Sequence, residues 1–167
     1  ATLMAEADGI PRNVSAEALK TYRPLPHRLE VVIDDPTSGV RWINDSKATN
    51  PHAAATGLSS LAPGPVVLLA GGVDKGLPLG ALVAAARGSG VRHAIAYGAI
   101  AERLAACLDG PVAEVSRTET LEQAVDRARS LAQRGDTVLL APACSSFDQF
   151  TSYAARGDAF KALVMGA

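Results

Sequence analysis

Cysteine is scarce in this 167-residue chain. Cys107 and Cys144 are too few for a disulfide scaffold or a four-ligand zinc site, and their scarcity fits a reducing cytoplasm. Aromatics are equally thin, with one Trp, three Tyr and three Phe scattered along the chain, so a base-stacking platform for single strands is excluded. There is no surplus of either charge: the formal net charge is −1, which leaves no excess of cations to neutralise a phosphate backbone. No apolar run approaches the roughly 18 residues of a membrane helix, and the opening ATLMAEADGI lacks the basic start and apolar stretch of a signal peptide. The expectation is a soluble, unexported, cytoplasmic protein with no nucleic-acid or membrane partner, and at this length one domain with a real core.

What is present is alanine, 32 residues of it, and a strong bias of arginine over lysine, 12 against 4. The few lysines therefore stand out. Lys20 and Lys161 fall on polar faces of predicted helices, whereas Lys47 and Lys75 fall in loops rich in Gly, Ser, Asp and Asn.

From Val66 onward short apolar runs alternate with amphipathic stretches, the pattern of strand–helix units around a mostly parallel sheet, and so of a Rossmann-like three-layer α/β domain. PVVLLAGG, VRHAIAYG, VAEVS and DTVLLAP read as strands. PLGALVAAARGSG reads as a helix with Pro near its start and glycines at its end. AIAERLAACL places Ile100, Leu104 and Cys107 on one face. TETLEQAVDRARSLAQRG offers Thr118 as N-cap and an apolar stripe of Leu121, Ala124, Val125, Ala128, Leu131 and Ala132. FDQFTSYAARGDAFKALV reads as mostly helical, with a break at Gly157. Before this alternation, RLEVVID and VRWIN flank DPTSG, an N-terminal β-hairpin. Asn50 is placed to cap a helix that begins at Pro51. The first 24 residues read as two short helical stretches and an extended connector, RPLPHR, and are expected to belong to a neighbouring domain.

Ligands of open α/β sheets bind beyond the carboxyl ends of the strands. Three polar loops fall at such ends: NDSKATN, GGVDKG and ACSSFDQF. Together they offer two cations, Lys47 and Lys75, the hydroxyls of Ser46, Thr49, Ser145 and Ser146, and free helix-start amides. That set suits a small anion, a dicarboxylate or a phosphate, better than a neutral sugar. His27, His52 and His93 fit no metal or triad spacing, and no serine sits in a G-x-S-x-G elbow. The glycines of GGVDKG miss the dinucleotide spacing, and G-x-x-x-x-G-K-[ST] is absent from the chain, so a P-loop mode of ATP binding is excluded. Asp45 reads as a helix cap, a turn former, a metal ligand or a ribose contact. Cys144 reads as a packing residue. Arg28 reads as a surface charge or, facing another domain, as a phosphate clamp.

The strings LPHRLEVV, GVRWINDSKATN, LLAGGVDKG and VLLAPACSSFDQFTSYAARGDAF resemble, in order and spacing, the C-terminal domain of the Mur ligase family, in its D-glutamate-adding branch. The resemblance spans the whole chain. It implies that residues 1–24 are the tail of a central ATPase domain plus linker, and that residues 25–167 are the amino-acid-binding domain. It further implies ATP-dependent addition of D-glutamate to UDP-N-acetylmuramoyl-L-alanine in peptidoglycan precursor synthesis, through an acyl phosphate. Lys47, Thr49, Lys75, Ser146 and the backbone around Tyr153 would hold D-glutamate, Lys47 also stabilising charge in catalysis. Tyr153 stands where Phe is common in the family, and the loop of Lys75 varies among relatives. Arg28 and Asp45 would reach the nucleotide. Magnesium and ATP would be bound in the complete enzyme with the other two domains of the same polypeptide, no metal or cofactor would be held by this chain alone, and the isolated chain would be inactive. The D-N-P-R motif of the diaminopimelate- or lysine-adding sister enzymes is absent. A sister ligase for another amino acid and a stand-alone anion-binding module are the competing readings.

Overall fold

The computed structural model describes residues 6–21, 25–62 and 64–166. After an outlying helix α1 (Arg12–Thr21), the chain forms β1 (Glu30–Asp34), β2 (Arg41–Asn44), α2 (Pro51–Ser59), β3 (Val66–Gly71), α3 (Gly80–Gly88), β4 (Val91–Tyr97), α4 (Ala101–Leu108), β5 (Glu114–Thr118), α5 (Leu121–Leu131), β6 (Thr137–Ala143) and α6 (Tyr153–Met165). One six-stranded sheet runs in the order β1-β2-β6-β3-β4-β5. Only β1 is antiparallel, paired with β2 as the hairpin that DPTSG predicts; every other pair is parallel.

The period-2 geometry of a strand sends alternate side chains to opposite faces. In β3, Val66, Leu68 and Ala70 join one core, while Val67 and Leu69 join the other. Leu139 and Ala141 of β6 likewise oppose Val138 and Leu140. The first core is closed by Leu58 of α2, Leu82 of α3 and Leu104 and Leu108 of α4. The second is closed by the α5 stripe and by Phe160 of α6, with Trp42 beneath. The sheet is therefore buried on both faces, which is why its central strands are continuous apolar runs rather than alternating ones. Leu68 is fully buried, so truncation to Ala removes about 2–5 kcal/mol.

Four local expectations change. The N-cap of α5 is Thr120, whose hydroxyl accepts from Gln123 N, whereas Thr118 ends β5 and points its hydroxyl at Thr120 O. Strand β5 begins at Glu114, two residues later than VAEVS suggests. Gly157 does not break α6: a Cβ there would lie 2.2 Å from His27 Nδ1, so the glycine makes room for an imidazole within an unbroken helix. In RPLPHR, residues 23–24 lie outside the described residues, and the remainder is a turn rather than extended chain, with His27 at φ +62° and Leu29, just after it, at +46°. Of the opening ATLMAEADGI, residues 1–5 also lie outside the described residues.

Candidate anion site at the carboxyl ends of the strands

Strands β3, β4 and β5 step outward from the middle of the sheet, and the chain then returns to place β6 on the other side of β3. The helix after β3 packs on one face and the helix after β6 on the other, so the strand order reverses between these two strands, the switch point at whose carboxyl ends open α/β sheets form their ligand crevice. All three polar loops of the sequence meet there.

Backbone hydrogen bonds join them. Ala143 N donates to Ala48 O at 2.9 Å, linking the loop after β6 to NDSKATN. Val73 N donates to Ser145 O at 2.9 Å and Ser145 N returns to Val73 O at 3.3 Å, linking it to GGVDKG. Gly72 must be glycine for this approach: its φ is +125°, and a Cβ would lie 1.9 Å from Ser145 O. Side chains add to the join. Lys75 Nζ donates to Thr49 O at 3.1 Å, and Ser46 Oγ donates to Tyr153 O at 2.8 Å. The Lys47 ammonium sits 5.6 Å from the centroid of the Tyr153 ring.

At the centre lies Arg156, a fully buried arginine that sequence reading does not single out. Its Nε donates to Ser46 Oγ and its Nη2 to Ser46 O, both at 2.9 Å, and its Nη1 donates to Cys144 O at 3.2 Å. One guanidinium thus ties the loop after β2 to the loop after β6. Among the described residues no carboxylate lies within ion-pair distance of it. A sequence signal does exist: Arg156 stands four residues before the buried Phe160, on the inward face of α6. The Asp-Gln pair of ACSSFDQF also proves structural. Asp148 accepts from Ala99 N just before α4, and Gln149 accepts from Leu121 N at the start of α5, which fixes the strand-end loop carrying Ser146.

The candidate residues therefore divide as follows. Lys47, Thr49 and Lys75 converge with Ser145 and Ser146 on one rim, where Lys47 and Lys75 are exposed and form no ion pair among the described residues. Tyr153 opens α6, so its N–H belongs to the first turn, whose amides lack intrahelical partners, while its carbonyl is taken by Ser46. Burial pushes the Cys144 thiol up to about 11, which keeps it protonated at neutral pH and consistent with packing. His93 lies at the opposite end of the sheet, with Nε2 2.7 Å from Ser116 Oγ. His52 is exposed on α2.

Asp45 and Arg28 form a second pocket beside the first. It is a cleft of about 180 Å³ lined by Arg28, Leu29, Asp45, Lys47 and the first turns of α2. Asn50 caps α2, so Asp45 is no helix cap; its Oδ1 accepts from Leu29 N at 3.3 Å. Gly57 lets the carboxylate tuck against α2, since a Cβ there would lie 2.5 Å from Asp45 Oδ2. Burial raises the Asp45 pKa to about 6, against the opposing pull of the Leu29 N–H and the Arg28 charge. A carboxylate flanked by an arginine in a small cleft fits the hydroxyl edge of a nucleotide sugar, but the cleft has no phosphate-cradling loop. For a metal the fit fails: among the described residues no group of three or more His, Cys, Asp or Glu side chains could hold one. No helix among them is long and apolar enough to cross a membrane.

Comparison with known proteins identifies the family. Residues 27–144 match the sequence family described as Mur ligase, glutamate ligase domain. The chain is 46% identical over 164 residues to the UDP-N-acetylmuramoylalanine–D-glutamate ligase of Myxococcus xanthus, covering 98% of this chain and 35% of that protein. The enzyme of the same name from Frankia casuarinae is 46% identical over 167 residues, covering 98% of this chain and 34% of that one. The chain thus spans about a third of the length of these curated relatives. In structure, the UDP-N-acetylmuramate–alanine ligase of Thermotoga maritima superposes with a TM-score of 0.65 at 15% identity, over 98% of this chain and 36% of that one, a likeness of fold. The family match over residues 27–144 places this chain in the Mur ligase, glutamate ligase domain family.

Proposed function

We propose that this chain is the C-terminal, amino-acid-binding part of an ATP-dependent ligase that adds D-glutamate to UDP-N-acetylmuramoyl-L-alanine in cytoplasmic peptidoglycan precursor synthesis. In this reading residues 25–167 are the amino-acid-binding domain and residues 1–24 the end of a central ATPase domain. The observation that carries it is the pair of exposed cations, Lys47 and Lys75, held at one switch-point crevice without ion-pair partners among the described residues and flanked by Thr49 and Ser146. Two separated ammonium groups with hydroxyl and amide donors between them match the two carboxylates of a glutamate.

The chain's own contribution is binding and orientation. Lys47, Lys75, Thr49, Ser146 and the first-turn amide of Tyr153 hold the carboxylates, so that the free amine faces the crevice mouth where an acyl phosphate would be presented by the rest of the polypeptide. Lys47, nearest the Asp45–Arg28 cleft, is also placed to stabilise negative charge on the tetrahedral intermediate. Asp45 and Arg28 would touch the sugar and phosphates of ATP across the closed interface. Magnesium would be held elsewhere in the polypeptide. The site is completed only on closure, so the isolated chain does not turn over and binds glutamate weakly.

Steady-state kinetics on the complete ligase test this. Lys75→Ala should raise KM for D-glutamate by about tenfold or more while KM for ATP stays put, the loss of one charge-assisted contact. A selective loss of ATP affinity would show that Lys75 is misassigned.

A further inference from the structure

Lys75 itself is exposed, in a loop that includes the positive-φ Gly76 (φ +69°), yet its ammonium must stay within reach of Thr49. The loop has one conspicuous external anchor. Arg103, on the exposed face of α4, donates through Nη1 to Asp74 Oδ2 and through Nη2 to Leu77 O at 3.1 Å. The other Asp74 oxygen accepts from Gly76 N at 2.7 Å. One guanidinium therefore grips the chain on both sides of Lys75, and the carboxylate between them fixes the turn. The same contact has an electrostatic consequence. Asp74 is adjacent to Lys75, and its negative charge opposes any carboxylate arriving there; the Arg103 guanidinium cancels it and holds the Asp74 carboxyl below its ordinary pKa.

We propose that Arg103 is a positioning residue for the amino-acid substrate: it acts through Asp74 and Leu77 to hold Lys75 over the crevice and to neutralise the one carboxylate beside it. The proposal rests on the reading of Lys75 as a ligand of a substrate carboxylate. It concerns a residue outside the crevice, on a helix whose remaining exposed positions face solvent.

The experiment is steady-state kinetics on the complete ligase, varying D-glutamate and then ATP, for Arg103→Ala, Arg103→Ala with Asp74→Asn, Arg103→Lys and Lys75→Ala. Arg103→Ala is expected to raise KM for D-glutamate roughly three- to tenfold, with kcat and KM for ATP within about twofold of the parent. Adding Asp74→Asn should recover part of that loss, because the unopposed charge is gone while the loop anchor is still missing. Arg103→Lys should fall between parent and alanine, since a lysine supplies charge without the two-pronged fork. If Arg103→Ala folds poorly, Arg103→Gln is read by the same criteria. A parental KM for D-glutamate in Arg103→Ala, beside a raised one in Lys75→Ala, overturns the proposal and leaves the assignment of Lys75 intact. A parental KM in Lys75→Ala overturns that assignment and the proposal with it. Equal changes in kcat and in both KM values for Arg103→Ala mean general loosening of the fold, and also overturn it.

Discussion

The two ends of the same sheet treat charge in opposite ways. At the amino ends of the parallel strands, Arg92 at the start of β4 pairs with the buried Asp136 just before β6, and spends a further N–H on Leu131 O. Asp136 also accepts from Gln133 N at 2.6 Å. Arg41, at the start of β2, pairs with Asp34 at the end of β1. Both of these cations meet their acids locally. At the carboxyl ends, among the described residues, the buried Arg156 donates only to neutral oxygens, and Lys47 and Lys75 face solvent without an ion-pair partner. Charges paired locally hold a fold together; cations left without acids at a crevice are available to an anionic ligand.

The largest test of this contrast is Arg156→Met. It keeps bulk but leaves Ser46 O and Cys144 O without their donor, and is expected to cost about 3 kcal/mol in denaturant unfolding of the chain. A loss below about 1 kcal/mol would show that the three loops stand without it. Next is Asp136→Asn at the other end. It weakens the Arg92 pair and should cost about 2 kcal/mol, while KM for D-glutamate in the complete ligase stays unchanged. An altered KM would dissolve the division between the two ends.

The smallest expected effect concerns Asp45, and its sign is unusual for a carboxylate. Its folded pKa of about 6 lies above the ordinary aspartate value of 3.8, so between those pH values the folded chain binds more proton than the unfolded one. The favourable contribution is complete below pH 3.8 and is lost as pH rises through 6. Above pH 6 the buried charge is a burden, so Asp45→Asn should stabilise the chain by about 1–2 kcal/mol at pH 7.5 and by almost nothing at pH 4. A stabilisation independent of pH would mean that burial of the charge is not the cause. That stability is given up at Asp45 beside the crevice fits a group retained for function.

Much of this was legible in the sequence, for identifiable reasons. The runs that became β3 and β6 are buried on both faces, so they read as nearly continuous apolar segments. Asn50 before Pro51 carried its own capping chemistry, and the hairpin carried its turn. Lys47 and Lys75 stood out because lysine is rare in this chain. What sequence pattern lacked was any long-range term. The placement of β6 between β2 and β3 is a choice of neighbour that no local periodicity encodes. Thr118 and Thr120 are equally good caps in isolation, and packing of Leu121 decides between them. Gly157 reads as a helix breaker until His27, 130 positions away, is seen to occupy the space its side chain would need. Sequence pattern does not single out Arg156, because buried arginines are rare.

The central claim is that the carboxyl-end rim receives a dicarboxylate amino acid. Its most direct test is an amide chemical-shift titration of this chain with D-glutamate. The expected result is weak, roughly millimolar binding, with shifts concentrated at Lys47, Thr49, Lys75, Ser146 and Tyr153 and none at Arg92 or Asp136. Shifts centred on the Arg92–Asp136 end, or no response at the rim at tens of millimolar ligand, would contradict it.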